Sequence, residues 1–145
     1  MAKFIRPLLE IPVTAVEKYF FTPLYFPRTA WAVLGWWESR RPLFNVCVGG
    51  AGLVTLGTVT FLNYLPPHPI GFSVPWGAIL LYGLMANVGY TVGPLGDLLL
   101  RRILGDRAPA IGPVFFRYGF VFSVGLTLLP VPLAALGWLF RLFSS

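Results

Sequence analysis

A chain of 145 residues is long enough for one domain, but 57% apolar, 17% aromatic and only 11% charged residues exclude an ordinary soluble globule, which carries about a quarter of its residues as charges. Eleven Lys and Arg against five Asp and Glu give a net charge of +6, and because the basic residues stand at the ends of apolar runs they point to anionic lipid headgroups rather than nucleic acid. The single cysteine, Cys47, excludes a disulfide framework, a paired-thiol zinc site and a thioredoxin-like pair.

The N-terminal stretch does not read as a secretory signal, since Lys3 and Arg6 are followed by Glu10, Pro12 and Glu17 instead of an unbroken apolar run. A retained N-terminus is expected. Ala2 after Met1 and a C-terminus of Leu142, Phe143, Ser144 and Ser145 do not fit the common lipidation patterns. Tyr19 to Trp37 is apolar and aromatic, but Pro23, Pro27 and Arg28 in its middle disfavour a fourth span. Residues 1–42 are therefore expected to form an amphipathic interfacial segment. It would hold one short helix around Val13 to Phe21 and another from Ala30 to Arg41 with Thr29 as N-cap. On the second helix Trp31, Leu34 and either Trp36 or Trp37 are expected to face lipid, with Glu38, Arg40 and Arg41 toward water and phosphates.

Three spans follow, at about 43–65, 76–100 and 113–139. Each supplies the roughly 20 apolar residues that cross a ~30 Å hydrocarbon core at 1.5 Å per residue. Pro66, Pro67 and Pro69 stop the first span, and Pro75 suits the first turn of the second. Pro94 removes a backbone hydrogen bond inside the second span and predicts a kink near Tyr90 and Thr91, eased by Gly89 and Gly93. The loop Arg101, Arg102, Gly105, Asp106, Arg107 and Pro109 leads to the third span, whose outer half Pro130 and Pro132 should bend. The class predicted is an all-α integral membrane protein, with residues 43–145 as its three-helix transmembrane domain.

Lys3, Arg6, Lys18, Arg28, Arg40, Arg41, Arg101, Arg102, Arg107 and Arg117 fall on one side of these spans, against Arg141 on the other. The positive-inside rule then predicts a cytoplasmic N-terminus and an external C-terminus. Trp36, Trp37, Tyr64, Trp76, Tyr118 and Trp138 lie near span ends, as aromatic belts do. Trp36, Trp37, Arg40, Arg41, Arg101 and Arg102 are the expected interface anchors.

Within the spans, small and polar residues mark faces that helices bury against one another. Asn45 and Asn63 lie five turns apart on the first span, with Gly49 and Gly52 near the same line. On the third, Gly119, Ser123, Thr127, Pro130, Ala134 and Gly137 share one side. The most polar stripe is on the second, where Asn87, Tyr90, Thr91, Pro94, Asp97 and Arg101 lie within about a third of a turn. An interhelical hydrogen bond there contributes about 0.6–2 kcal/mol, enough for ordinary assembly, and Arg101 four residues after Asp97 eases the carboxylate into the membrane edge. The functional reading makes Asn87, Tyr90 and Asp97 the lining of a site for lipid, quinone, pigment or ion. His68, in the proline-rich outer loop, is the one imidazole that could ligate a haem or chlorophyll metal, although a solvated loop histidine is the simpler reading. Cys47 reads as a small buried residue, with palmitoylation as the alternative.

No nucleophile with a histidine base, no H-E-x-x-H, no paired acids and no phosphate loop is present, so no catalytic or metal residue is expected and no cofactor is implied. The run Trp36-Trp37-Glu38-Ser39-Arg40-Arg41 followed by Asn45, with Asn87, Tyr90 and Gly93, resembles a class of small, uncharacterised bacterial multi-pass membrane proteins over about Trp36 to Pro130. The resemblance implies a bacterial inner-membrane location and no assigned chemistry. The expected role is a non-catalytic accessory, assembly or scaffolding subunit of a larger membrane complex, bioenergetic or photosynthetic assemblies being examples. Its partners would be membrane lipids and other membrane proteins. The alternative is a homo-oligomeric transporter, channel or lipid- or quinone-binding protein, and an enzyme acting on lipid would have to use Asp97 or His68.

Overall fold

The computed structural model describes residues 29–105 and 108–144, together with Lys18 and Thr22, and among them it is helical without strands. Five helices are delimited among the described residues, in chain order: α1 (Ala30–Glu38), α2 (Arg41–Tyr64), α3 (Trp76–Leu104), α4 (Gly112–Leu128) and α5 (Pro130–Phe143). Three helical stretches, Ala30–Tyr64, Trp76–Leu104 and Gly112–Phe143, are long and apolar enough to cross a membrane. The helix expected around Val13 to Phe21 lies, apart from Lys18, outside the described residues.

Prolines account for most of the boundaries. Pro42 sits in the first turn of α2 and lacks the N–H that would continue the ladder from α1, so the chain turns at Ser39 and Arg40. The carbonyl of Trp37 accepts instead from the N–H of Arg40 at 3.0 Å. Tyr64 ends α2 because Leu65, which precedes Pro66, is forced into an extended conformation with ψ of 143°. Pro94 is carried inside α3, which runs unbroken from Trp76 to Leu104. Pro130 and Pro132 act more strongly than a bend: they divide the third stretch into α4 and α5 at Leu129, whose N–H turns to the carbonyl of Leu126. Gly105, with φ of 58°, closes α3 in a conformation that costs glycine little and donates its N–H to the carbonyl of Arg101.

α4 packs against both α2 and α3, α5 continues along α2, and α1 folds back onto α3. The buried cluster is Val33, Trp36, Trp37, Phe44, Val48, Tyr90 and Phe116, so it sits where α1 meets the arginine-rich ends of the long helices. Its rings meet largely edge to face: Trp36 and Trp37 at 5.3 Å and 77°, Trp37 and Tyr90 at 5.6 Å and 85°, Trp36 and Phe116 at 6.1 Å and 89°. At the opposite end, Trp138 Nε1 donates to the carbonyl of Pro66 at 3.0 Å, and Arg141 donates to the carbonyls of Leu62 at 2.7 Å and His68 at 3.2 Å. Two side chains of α5 thus satisfy carbonyls that the proline-rich loop leaves without helical partners.

Candidate functional site

The arginine-rich end is built on α1. Thr29 caps this helix, its hydroxyl accepting from the N–H of Ala32 at 3.1 Å. The helical period then places Val33, Trp36, Trp37 and Arg40 on its inner side. Trp37 is 2% exposed and Trp36 9%, so both indoles meet protein, whereas Trp31 at 83% is turned outward. The last carbonyls of α1 find side-chain donors: Trp36 O accepts from Ser39 Oγ at 2.9 Å and Arg40 Nη1 at 2.8 Å, and Trp37 O accepts from the Tyr90 hydroxyl. The Trp36 indole N–H donates to the carbonyl of Thr22 at 2.9 Å.

Arg40 is buried with its guanidinium 3.8 Å above the Trp36 ring, so this cation is shielded by an aromatic face and a carbonyl. Arg41 forms a two-pronged pair with Glu38, at 2.8 and 2.7 Å, and lies 4.7 Å over the Tyr90 ring. Asp97 is 5% exposed and accepts a long hydrogen bond of 3.4 Å from Trp37 Nε1. Gly112 allows this approach, since a Cβ there would stand 3.0 Å from Asp97 Oδ2 and 3.4 Å from the Trp36 ring.

The polar stripe of α3 is therefore divided. Tyr90 and Asp97 are drawn to Trp37, while Asn87 turns to α2, accepting from Asn45 Nδ2 at 3.3 Å and donating to the carbonyl of Gly83 at 3.0 Å. Thr91 bonds back to the carbonyl of Asn87 at 2.9 Å. Arg102 is exposed and Arg101 half-buried, with Nη1 of Arg101 lacking a hydrogen-bond partner among the described residues. His68 is exposed in the loop between α2 and α3, and Cys47 is half-buried in α2. No group of three His, Cys, Asp or Glu side chains comes together among the described residues.

Two features had little or no voice in the sequence. One is a knot at mid-height, where the Tyr82 hydroxyl meets Thr127 Oγ1 at 2.5 Å and the Ser123 carbonyl at 3.2 Å, while Thr55 Oγ1 donates to the Thr127 carbonyl at 2.8 Å. It ties all three long stretches together. Thr127 belongs to the small-residue face, but Tyr82 resembles any interfacial tyrosine until α4 is placed beside it. The other is a groove between α3 and α4 enclosing about 370 Å³, with Met85, Gly89 and Val92 on one wall and Phe115, Gly119 and Phe122 on the other. Trp37, Tyr90, Phe116 and Phe120 also line it. Its surface is almost wholly hydrocarbon, whereas the side chains of Tyr82, Asn87, Tyr90, Thr91, Asp97 and Thr127 have protein partners. Comparison with known protein families, with characterised proteins and with solved structures finds no match.

Proposed function

We propose that the chain is a multi-pass protein of a bacterial inner membrane, N-terminus in the cytoplasm and C-terminus outside, acting as a non-catalytic accessory, assembly or scaffolding subunit of a larger membrane complex. One observation carries this reading: the polar side chains expected to line a site bond to neighbouring helices. Tyr90 is tied to Trp37, Asn87 to Asn45, and Asp97 to Trp37. Such bonds hold helices in register and draw these groups away from a permeation path or a reaction. The orientation rests on the arginines at the α1 end, which suit anionic headgroups of the inner leaflet.

The rival reading, a homo-oligomer with Asn87, Tyr90 and Asp97 facing a shared cavity, is weaker because Tyr90 and Asp97 are buried within one chain. Extraction of native membranes in mild detergent, followed by sizing and mass spectrometry of co-purifying polypeptides, tests the proposal. A stoichiometric hetero-complex is the expected result. A lone homo-oligomer carrying a small molecule would overturn it. Orientation is read separately by placing a cysteine at Ser73 in a Cys47→Ala background and labelling intact cells with a membrane-impermeant maleimide, which should react.

A further inference from the structure

We propose that the seam between α2 and α3 at the arginine-rich end binds a zwitterionic phospholipid headgroup, a phosphate with a primary ammonium, an inference that rests on the membrane location above. Four side chains form a square across this seam. On α2, Arg41 and Asn45 stand about one turn apart, roughly 6 Å along the axis. Tyr90 and Asn87 oppose them from α3: the Arg41 guanidinium lies 4.7 Å over the Tyr90 ring, and Asn45 Nδ2 donates to Asn87 Oδ1 at 3.3 Å. Glu38 extends the square, its carboxylate 2.7 Å from Arg41 Nη2.

Its own bonds do not use up these groups. Arg41 gives Nε and Nη2 to Glu38, and its Nη1 has no hydrogen-bond partner among the described residues. Asn45 gives one amide hydrogen to Asn87, and Asn87 gives one to the carbonyl of Gly83, so each keeps a second donor. The site is open to the surroundings: Asn45 is exposed, and the side chains of Arg41 and Glu38 keep 25% and 51% of their surface.

Charge and the order of polarity select the ligand. Arg41 and Glu38 present a cation and an anion side by side. A phosphate set on Arg41 and an ammonium set on Glu38 each meet the opposite charge, and the ammonium supplies N–H donors to the carboxylate. Phosphatidylglycerol brings the phosphate alone and leaves Glu38 facing it without a cation. Along the seam, the charges of Glu38 and Arg41 are followed by the neutral amides of Asn45 and Asn87, and these by Gly49 on α2 and Gly83 and Leu80 on α3. A Cβ on either glycine would meet nothing within 4 Å, and Leu80 is 74% exposed, so this last stretch lies open to hydrocarbon. Headgroup, ester linkage and acyl chain follow one another in the same order in a glycerophospholipid. A soluble zwitterion would leave the apolar stretch uncovered, and a partner helix would have to carry two opposite charges to the membrane edge.

The test uses the full chain in nanodiscs of phosphatidylethanolamine, phosphatidylcholine and phosphatidylglycerol in equal parts and with the same acyl chains, transferred to mild detergent for native mass spectrometry. Phosphatidylethanolamine should be retained about tenfold over either of the others. Glu38→Gln removes the charge that meets the ammonium, leaves the fold intact because Glu38 is half exposed, and should abolish the preference. Asn45→Leu should lower retention of phosphatidylethanolamine, while Gly57→Leu, farther along α2, should change nothing. Equal retention of the three lipids by the parent chain overturns the proposal, as does a preference that survives Glu38→Gln. A second measurement separates a lipid from a protein partner: a photo-cross-linking side chain at position 45 should join to lipid in native membranes. A cross-linked polypeptide there also overturns it. Release of the protein from membranes by alkaline carbonate would instead defeat the membrane reading itself.

Discussion

The indole of Trp37 lies directly on the bare Cα of Gly93, so that a Cβ at position 93 would overlap the six-membered ring at Cη2 and Cζ3. This seat lets α1 fold back onto α3 and brings the Trp37 carbonyl to the Tyr90 hydroxyl and the indole N–H to Asp97. Gly93→Ala should therefore push α1 away and cost about 1–3 kcal/mol, the usual range for overpacking a filled site. The expected signs are a lower midpoint on detergent denaturation and a red shift of tryptophan emission. A variant indistinguishable from the parent in both would show that the indole does not occupy this seat.

Tyr90→Phe keeps the ring edge-on to Trp37 and tilted against Phe44 but removes the donor to the Trp37 carbonyl. A loss of about 0.6–2 kcal/mol is expected, with helix content unchanged by circular dichroism. A larger loss, with helix content falling, would mean that the ring itself has been displaced.

Thr127 accepts neighbours from both other stretches, since Tyr82 meets its hydroxyl and Thr55 its carbonyl. Tyr82→Phe and Thr127→Val break the same bond, so the double variant should be less destabilised than the sum of the two singles by about 0.5 kcal/mol or more. Strict additivity in a denaturation cycle would place the two hydroxyls apart.

Arg141→Met removes the donors to Leu62 and His68, and Trp138→Phe the donor to Pro66. Backbone amides around Ile70, whose N–H is bonded to the Asn63 carbonyl, should then exchange faster with deuterium. Amides near Trp37, at the far end of the bundle, should be unaffected. Parallel changes at both ends would indicate global loosening instead of a local clamp.

The Glu38–Arg41 pair offers a contrast, because Glu38 is about half exposed and the two residues are three apart on the surface. Glu38→Gln should change stability by less than about 0.5 kcal/mol, and the difference should fade as salt is raised. A loss beyond about 1 kcal/mol would mark the pair as part of the tryptophan cluster.

The long helices and most of their limits were legible in the amino-acid order, because apolar run length and proline position act locally. Pro42, Pro66 and Pro113 set boundaries whatever lies nearby, and Thr29 caps α1 with its own hydroxyl. The division at Leu129 was half legible: two prolines announce a defect, but its extent depends on how the carbonyls of Leu126 and Thr127 find other donors. The tryptophans mark the limit of such reading. Trp36 and Trp37 beside arginines have the composition of a membrane-interface anchor, and composition is blind to a glycine 56 residues along that leaves room for an indole. Asn87, Tyr90 and Asp97 share a stripe on one helix, yet they serve different neighbours because α2 and α1 approach α3 from different directions. Periodicity within a helix depends on backbone geometry alone, so it appears in the chain itself. Which face meets indole, hydroxyl or open groove depends on where separate helices come to rest, and that is a property of their packing together.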